Sequence, residues 1–269
     1  MGLSKKIQGI RELWQFDNRF ELIFERLFRP GKTTLTYQYK GLKFITDHSA
    51  GDANGARALL TSDMYRVFLE MMELPEKLTV LDIGANNGGF PLLLRSEGYP
   101  IGKLLSIELN PATFERLKQN IGLNFGVEAE CLNAAVCGES RMIAFAEGAA
   151  GTSDNIYQTA RSGSGKQRSV PGITLDQAIE KLGRDAIDIC KMDIEGAEFE
   201  IFAGPSAAKL KKCRYLLIEI HHYPEPARNR ELVRSALTAL GFTEISPPPN
   251  DDKHHVHCFK MSVDRFSTH

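Results

Sequence analysis

The sequence lacks several features that would each indicate a particular class of protein. Its five cysteines are an odd number and include no Cys-x-x-Cys pair, which argues against a disulfide framework or a thiolate zinc site. No run approaches the roughly 18 apolar residues of a transmembrane helix. The first residues contain no apolar signal core. Together these absences predict a cytoplasmic protein with reduced thiols and no membrane span.

An excess of charge of one sign is also missing. The chain has 33 Lys and Arg against 34 Asp and Glu, a net charge of −1. No global basic field attracts nucleic acid, so we do not expect nucleic acid as a partner. Residues 1–43 differ, because nine basic and four acidic side chains give this arm a net charge of +5. We expect a solvated helix face there, with contact to an anionic substrate or partner as the alternative.

One nucleotide-binding motif and one nucleophile motif are absent as well. Gly163-Ser-Gly-Lys166 is followed by Gln167, where a phosphate-binding P-loop needs Ser or Thr. No Gly-x-Ser-x-Gly nucleophile elbow is present, which argues against serine hydrolysis.

The apolar residues that are present divide the chain into two parts. Residues 1–77 predict helices around two short strands, and we interpret them as an accessory or cap segment. In residues 78–269, strands alternate with helices, which predicts an α/β domain with a mostly parallel sheet covered on both faces. Ligands of such sheets lie beyond the carboxyl ends of the strands. A Gly-, Ser- and Thr-rich stretch at residues 148–169 is expected to form a loop.

A glycine-containing turn after the first strand of this domain is the strongest signal of a binding site. Glycine allows close approach of a ligand and backbone dihedrals that a Cβ atom forbids. Asn86 stands where the dinucleotide fingerprint needs its second glycine, which disfavours a bound pyrophosphate. The candidate binding residues of this turn are Asp82, Gly84, Ala85, Asn86, Asn87 and Gly88.

Acidic side chains follow the next strands of the predicted sheet. Glu108 ends the second strand, 24 residues after Gly84, where a carboxylate can accept hydrogen bonds from both ribose hydroxyls. Asp193 follows the fourth strand, which we expect beside the first, and it should face the reactive end of the ligand. Glu219 and His221 end the fifth strand.

These pieces resemble the FkbM family of S-adenosylmethionine-dependent methyltransferases. The resemblance covers about residues 78–221 in the order of the family. It rests on Leu81-Asp-Ile-Gly-Ala-Asn-Asn-Gly88, Ile107-Glu-Leu-Asn-Pro111, Asn133-Ala-Ala-Val136, Lys191-Met-Asp-Ile-Glu-Gly-Ala-Glu198 and Leu217-Ile-Glu219. The Lys191–Glu198 string is the most specific of them.

The resemblance implies a Rossmann-like sheet of seven strands, mostly parallel with the last one antiparallel. It also implies methyl transfer from S-adenosylmethionine to a hydroxyl or carboxyl oxygen of a small metabolite or sugar-containing compound, with S-adenosylhomocysteine as the product. Asn133 and Ala134 would lie near the adenine, and Leu109 beside Glu108. Asp193, Glu219 and His221 are the candidate catalytic groups, of which Asp193 is the first choice, and Asp193 also counts among the cofactor-binding residues.

Several alternatives stay open at this stage. A divalent metal that includes Asp193 among its ligands would lower the pKa of an acceptor oxygen, and the sequence does not decide for or against it. The rival functions are an NAD-dependent oxidoreductase, a non-catalytic cofactor-binding scaffold, and an RNA methyltransferase that uses the basic arm. A homo-oligomer is compatible with the sequence.

Overall fold

The structure is a computed structural model of the 269-residue chain. It describes residues 12–50, 52, 55–146, 167–221, 230–245 and 256–262, and the statements below concern these residues. The predicted helix over residues 3–11 and the predicted loop at 148–166 lie outside them. No helix in the described ranges combines the length and the apolar content that a bilayer crossing needs.

The described chain forms eight α-helices and twelve strands. The helices are α1 (Arg19–Phe28), α2 (Ala56–Thr61), α3 (Arg66–Leu69), α4 (Gly89–Ser96), α5 (Pro111–Asn124), α6 (Leu175–Leu182), α7 (Glu198–Ala203) and α8 (Arg230–Leu240). The strands are β1 (Thr34–Tyr39), β2 (Leu42–Asp47), β3 (Leu78–Ile83), β4 (Ile101–Glu108), β5 (Ala129–Asn133), β6 (Ala135–Val136), β7 (Arg141–Ala146), β8 (Gln167–Ile173), β9 (Ile187–Met192), β10 (Cys213–Glu219), β11 (Phe242–Ile245) and β12 (Val256–Met261). A 3₁₀ helix covers Pro205–Lys212.

Seven of these strands form one sheet in the order β11-β12-β10-β9-β3-β4-β5. β10, β9, β3, β4 and β5 pair in parallel, whereas β12 runs antiparallel to both β10 and β11. The prediction of a seven-stranded, mostly parallel sheet with an antiparallel last strand is therefore confirmed. β6, β8 and β7 form a separate small sheet.

Apolar side chains on the two faces of the large sheet form two cores. Val80 and Ile189 belong to the first core, and their neighbours Leu81 and Cys190 belong to the second. Both faces are buried because the strands read as nearly continuous apolar runs, as expected for a parallel sheet covered on both sides.

The accessory segment packs on the first of these faces. Its buried Phe16, Tyr37 and Phe44 share the first core with Val80 of the sheet. The buried Asn120 of α5 accepts a hydrogen bond from the Ile45 backbone N–H (2.7 Å), and its amide donates to the Ile45 carbonyl (3.0 Å). The amide of an asparagine thus holds β2 against the sheet domain.

Three predictions about local structure are wrong. The helix that the sequence predicts over residues 63–72 is shorter and covers only Arg66–Leu69 (α3). A further helix, α2, precedes that range and lies against α4, where Gly89 lets the backbones approach. Residues 167–169, expected in a loop, belong to β8 because they pair with β7. β10 ends at Glu219, so His221 lies beyond the strand instead of ending it.

The sequence predicts an apolar helix face at Phe20, Ile23–Phe24 and Leu27–Phe28, but in α1 these side chains are mostly exposed. Leu22 is buried, whereas Phe20 and Phe28 are 68% and 69% exposed. Arg19 lies over the rings of Trp14 and Phe20, at 5.3 Å and 5.2 Å from their centroids.

Candidate active site

A cleft opens at the carboxyl ends of the central strands. β3 lies between β4 and β9, so the chain crosses from one side of β3 to the other, which is the switch point where ligands of such sheets bind. The cleft is partly open to solvent, and the space between its walls, including solvent at its mouth, is about 700 Å³. Residues that line it include Ala50, Gly84, Asn86, Ile107, Glu108, Leu109, Asn110, Ala134, Val136, Asp193, Ile194 and Glu195.

The turn after β3 lies against the end of β9. Gly84 has a φ of +73°, and a Cβ atom placed there would lie 1.7 Å from the carbonyl oxygen of Asp193. The Lys191 Nζ donates a hydrogen bond to the Gly84 carbonyl at 2.6 Å. The glycine is therefore required by the contact between two strand ends, before any ligand is considered.

Glu108 is held between two backbone groups of the cleft wall. Its Oε2 accepts a hydrogen bond from the Asn86 N–H at 2.8 Å, and its Oε1 accepts one from the Asn110 N–H at 2.7 Å. Asn86 takes part from a left-handed conformation, with a φ of +49°. These two contacts orient Glu108 in the cleft, and a carboxylate oxygen can accept more than one hydrogen bond.

The other predicted cofactor residues divide between the cleft and its supports. Leu109 and Ala134 line the cleft. The amide of Asn133 donates to the carbonyls of Glu108 and Leu109, at 2.8 and 2.9 Å, and so fixes that wall. Asn87 is fully buried, and its Oδ1 accepts a hydrogen bond from the Ala56 N–H at 2.7 Å, which ties the turn to the accessory segment.

The other three residues predicted for this binding turn are Asp82, Ala85 and Gly88. Asp82 is fully buried on β3, with its Oδ1 3.5 Å from the Lys191 Nζ. Ala85 is 3% exposed, and Gly88 precedes α4 with a φ of +92°. Packing and helix entry account for these positions.

The three predicted catalytic side chains meet at the edge of the cleft. One ligating atom each from Asp193, Glu219 and His221 lies within 4.8 Å of the other two. The His221 Nε2 is 3.9 Å from Asp193 Oδ1 and 3.9 Å from Glu219 Oε1. They come together because β9 and β10 are neighbouring parallel strands, with Met192 paired to Ile218.

Two further glutamates complete this cluster. Glu195 has a left-handed φ of +50°, and its Oε2 lies 3.3 Å from the His221 Nε2. Glu198 is fully buried, its Oε1 lies 3.4 Å from the His221 Nδ1 and accepts the His221 backbone N–H at 3.2 Å. Its Oε2 accepts the Gly196 N–H at 2.7 Å. Four carboxylates therefore surround one imidazole ring.

The charges of the cluster shift the pKa of its members. Burial raises the pKa of Glu219 to about 7, with a further contribution from the negative charge of Asp193. Burial lowers the pKa of His221, but contact with Glu198 and the charges of Glu195 and Asp193 outweigh it and raise the pKa to about 9. Burial likewise lowers the pKa of Lys191, whereas the charges of Asp82 and Asp193 raise it above its usual value.

Sequence reasoning missed two residues of this region. Lys191 was interpreted only as part of a strand, although a lysine inside the apolar strand Ile187–Met192 is a signal that it needs buried anionic partners. Tyr65 is buried, and desolvation together with the charges of Asp193, Glu219 and Asp82 raises its pKa well above its usual value. No sequence pattern places Tyr65 beside the cluster, because it comes from the accessory segment.

The strand order and the cleft at the switch point define a Rossmann-like α/β fold. The chain belongs to the FkbM family of methyltransferases, because the family model described as a methyltransferase FkbM domain matches residues 82–244. The family predicted from the residues is thereby confirmed, and methyltransferase activity follows from it.

Individual relatives agree with this assignment. The chain is 25% identical over 204 residues to the methyltransferase sdnD of Sordaria araneosa, with 64% of this chain and 76% of the relative covered. It is 24% identical over 184 residues to the hexuronic acid methyltransferase AglP of Haloferax volcanii, covering 68% of this chain and 72% of that protein.

A solved structure of a methyltransferase FkbM from Methylobacillus flagellatus matches with a TM-score of 0.48 and 14% identity. The match covers 71% of this chain and 45% of the solved chain, so this chain spans less than half of that protein.

Proposed function

We propose that the protein transfers a methyl group from S-adenosylmethionine to an oxygen atom of a hydroxyl or carboxyl group on a small metabolite or sugar-containing compound. The observation that carries the proposal is the juxtaposition of Glu108, at one end of the cleft, with the cluster of Asp193, Glu219 and His221 at the other. The end of the cleft at Glu108 suits the binding of a nucleoside. The end at the cluster suits the removal of a proton from the acceptor.

The residues of the cleft fit S-adenosylmethionine, a ligand without phosphate. Ile107, Leu109, Ala134 and Val136 offer apolar surface to a base, and Glu108 offers acceptors to ribose hydroxyls. The Asn86 N–H already donates to Glu108, so it is not free to bind a pyrophosphate. This contact disfavours NAD, the rival ligand.

The cofactor brings its own leaving group, a sulfonium, so the protein's work is to align the acceptor and exclude water. Asp193 belongs both to the cleft wall and to the cluster, which supports a position for it between the two reactants. A carboxylate or imidazole of the cluster takes the proton that the acceptor oxygen loses. Lys191 forms an ion pair with Asp193, with its Nζ 3.7 Å from Asp193 Oδ2.

The acceptor would be a small molecule in the cytoplasm. The similarity to the hexuronic acid methyltransferase AglP supports an acidic sugar as the first compound to test. We propose that residues 78–269 bind the cofactor and that residues 1–77 act as a cap, because Ala50 of this segment lines the cleft.

The test has a binding arm and a turnover arm. Calorimetry should detect S-adenosylmethionine but not NAD, and S-adenosylhomocysteine release should depend on a hydroxyl- or carboxyl-bearing acceptor such as a hexuronic acid. Asp193→Asn should lower turnover by roughly 10²–10⁴ with little change in cofactor affinity. Exposed Glu180 of α6 supplies the control, Glu180→Gln. Tight NAD binding without S-adenosylmethionine binding would contradict the proposal.

A further inference from the structure

We propose that Asp193, Glu219 and His221 bind a divalent metal ion at the edge of the cleft. The site stands on its own geometry, whereas its role in catalysis rests on the proposed methyl transfer. The three ligands come from the ends of two neighbouring strands, β9 and β10, so the rigid sheet sets their spacing.

The distances between the ligating atoms suit a shared ion. Protein nitrogen and oxygen ligands lie at about 2.0–2.2 Å from such ions, so two atoms on one ion are at most about 4.4 Å apart. The His221 Nε2 is 3.9 Å from both Asp193 Oδ1 and Glu219 Oε1. The three ligating atoms lie within 4.8 Å of one another, so the side chains would have to move inward slightly to share one ion.

The environment of the histidine supplies a second, independent argument. Its Nδ1 lies 3.4 Å from a carboxylate oxygen of the fully buried Glu198. A carboxylate on the far nitrogen of the ring is the usual partner of a metal-bound histidine, because it fixes the tautomer and aims the other nitrogen at the ion. Here Nε2 is the nitrogen that faces the cluster.

The balance of charge also favours a cation. The cluster gathers Asp193, Glu195 and Glu219 around Nε2. Besides the His221 ring itself, Lys191 contacts an oxygen of this group, with its Nζ 3.7 Å from Asp193 Oδ2. A divalent ion would relieve the mutual repulsion of these carboxylates.

One imidazole with two carboxylates is a ligand set that suits manganese, iron or zinc better than a soft copper site. Three protein ligands leave coordination positions open for an acceptor oxygen. A hydroxyl bound there would lose its proton more readily, to a carboxylate of the cluster that does not bind the ion, and its electron pair would then form the bond to the methyl carbon as the carbon–sulfur electrons leave with sulfur.

The experiment measures metal binding directly on the full-length chain, without cofactor or acceptor. Chelator-treated protein is titrated with Mn²⁺, and free Mn²⁺ is followed by electron paramagnetic resonance, with Zn²⁺ and Mg²⁺ as competitors. We expect one Mn²⁺ per chain. Asp193→Asn and Glu219→Gln should weaken binding at least about tenfold. Glu180→Gln, outside the cluster, should bind as the unmodified protein does.

Two results would overturn the metal site. One is that folded, chelator-treated protein takes up neither Mn²⁺ nor Zn²⁺. The other is that both ligand variants, shown to be folded by circular dichroism, bind Mn²⁺ as tightly as the control. Full methyl transfer in excess chelator would reject the catalytic role and leave the proposed function intact. Metal uptake without any S-adenosylmethionine binding would reject that function and leave the site.

Discussion

Lys191 is the residue on which the electrostatics of the site depend. It is 4% exposed, and its Nζ contacts the Gly84 carbonyl and lies within ion-pair distance of Asp82 and Asp193. Burial raises the pKa of Asp82, and the positive charge of Lys191 opposes that rise. One lysine thus holds the glycine turn, a buried carboxylate and the candidate catalytic aspartate together.

Removing this charge should destabilise the whole protein. We expect Lys191→Met to lower the free energy of unfolding by roughly 3–5 kcal/mol, because it leaves a buried carboxylate without its partner. Urea unfolding measures the loss. The double variant Asp82→Asn with Lys191→Met should recover part of it, since the unpaired charge is then gone. Equal stability of the single and double variants would contradict the coupling of the two residues.

Glu108 carries the prediction about the cofactor. Glu108→Gln removes the charge but keeps one oxygen, so the loop contacts with Asn86 and Asn110 are partly retained. Affinity for S-adenosylmethionine should weaken by about 1.5–3 kcal/mol, the range for a hydrogen bond to a charged group. Calorimetry checks this, with Glu130→Gln on β5, which pairs with Lys103, as the control. Unchanged affinity in a folded Glu108→Gln protein would remove Glu108 from the ribose site.

At the scale of elements, the turn after β3 shows how two strand ends constrain one another. Gly84→Ala should cost more stability than an ordinary loop substitution, because the new Cβ would meet the Asp193 carbonyl and the φ is positive. Gly98→Ala is the matched control, with a φ of +83° and no heavy atom within 4 Å of its Cβ.

We expect Gly98→Ala to lower the free energy of unfolding by about 1 kcal/mol and Gly84→Ala by clearly more. Urea denaturation of both variants measures these two changes in the free energy of unfolding. The sequence indicates a role for Gly84 in ligand binding, and the contact with Asp193 adds an expected cost in folding. A similar decrease in the free energy of unfolding in the two variants would show that the structure relieves the contact with Asp193 at little cost in free energy.

The elements that sequence predicts well are those whose signals are local. Apolar runs mark β3 and β9, and Thr174 with Gln177 forms the predicted capping box at the start of α6. α2 begins after Gly55, which has no side chain to cap the helix. Packing against α4 stabilises α2 instead. β8 has polar residues and exists through its pairing with β7. Tertiary contacts determine that α2 and β8 form, and a local sequence pattern does not reveal those contacts.

The same division holds for the site. Strand ends on neighbouring strands predict that Asp193, Glu219 and His221 meet, and they do. The left-handed backbone that turns Glu195 toward His221 cannot be predicted from sequence, because non-glycine residues rarely adopt it.

At the scale of the whole molecule, Glu97 joins the accessory segment to the sheet domain. Its Oε1 lies 3.0 Å from both the Lys40 Nζ and the Arg66 Nε. Burial opposes ionisation, but hydrogen bonds from Lys40 and Arg66 outweigh it and lower the pKa of Glu97 below its usual value.

A lowered pKa in the folded state means that the ion pairs stabilise the protein above the unfolded pKa of glutamate and that this contribution is lost as pH falls through the folded value. Glu97→Gln should therefore cost about 1 kcal/mol or less at pH 7, since the pairs are partly exposed. The difference from the unmodified protein should vanish at acidic pH. Urea unfolding at several pH values tests this, and a pH-independent difference would contradict it.

Ala50 has a consequence for how such a protein acquires new substrates. It belongs to the accessory segment, yet it forms part of a cleft whose other walls come from the sheet. Selection acting on residues near position 50 can reshape the pocket while leaving Gly84, Glu108 and Asp193 untouched. With the proposed roles, donor chemistry and acceptor choice would be inherited on separate stretches of the chain, and exchanging residues 1–77 between relatives should alter the acceptor.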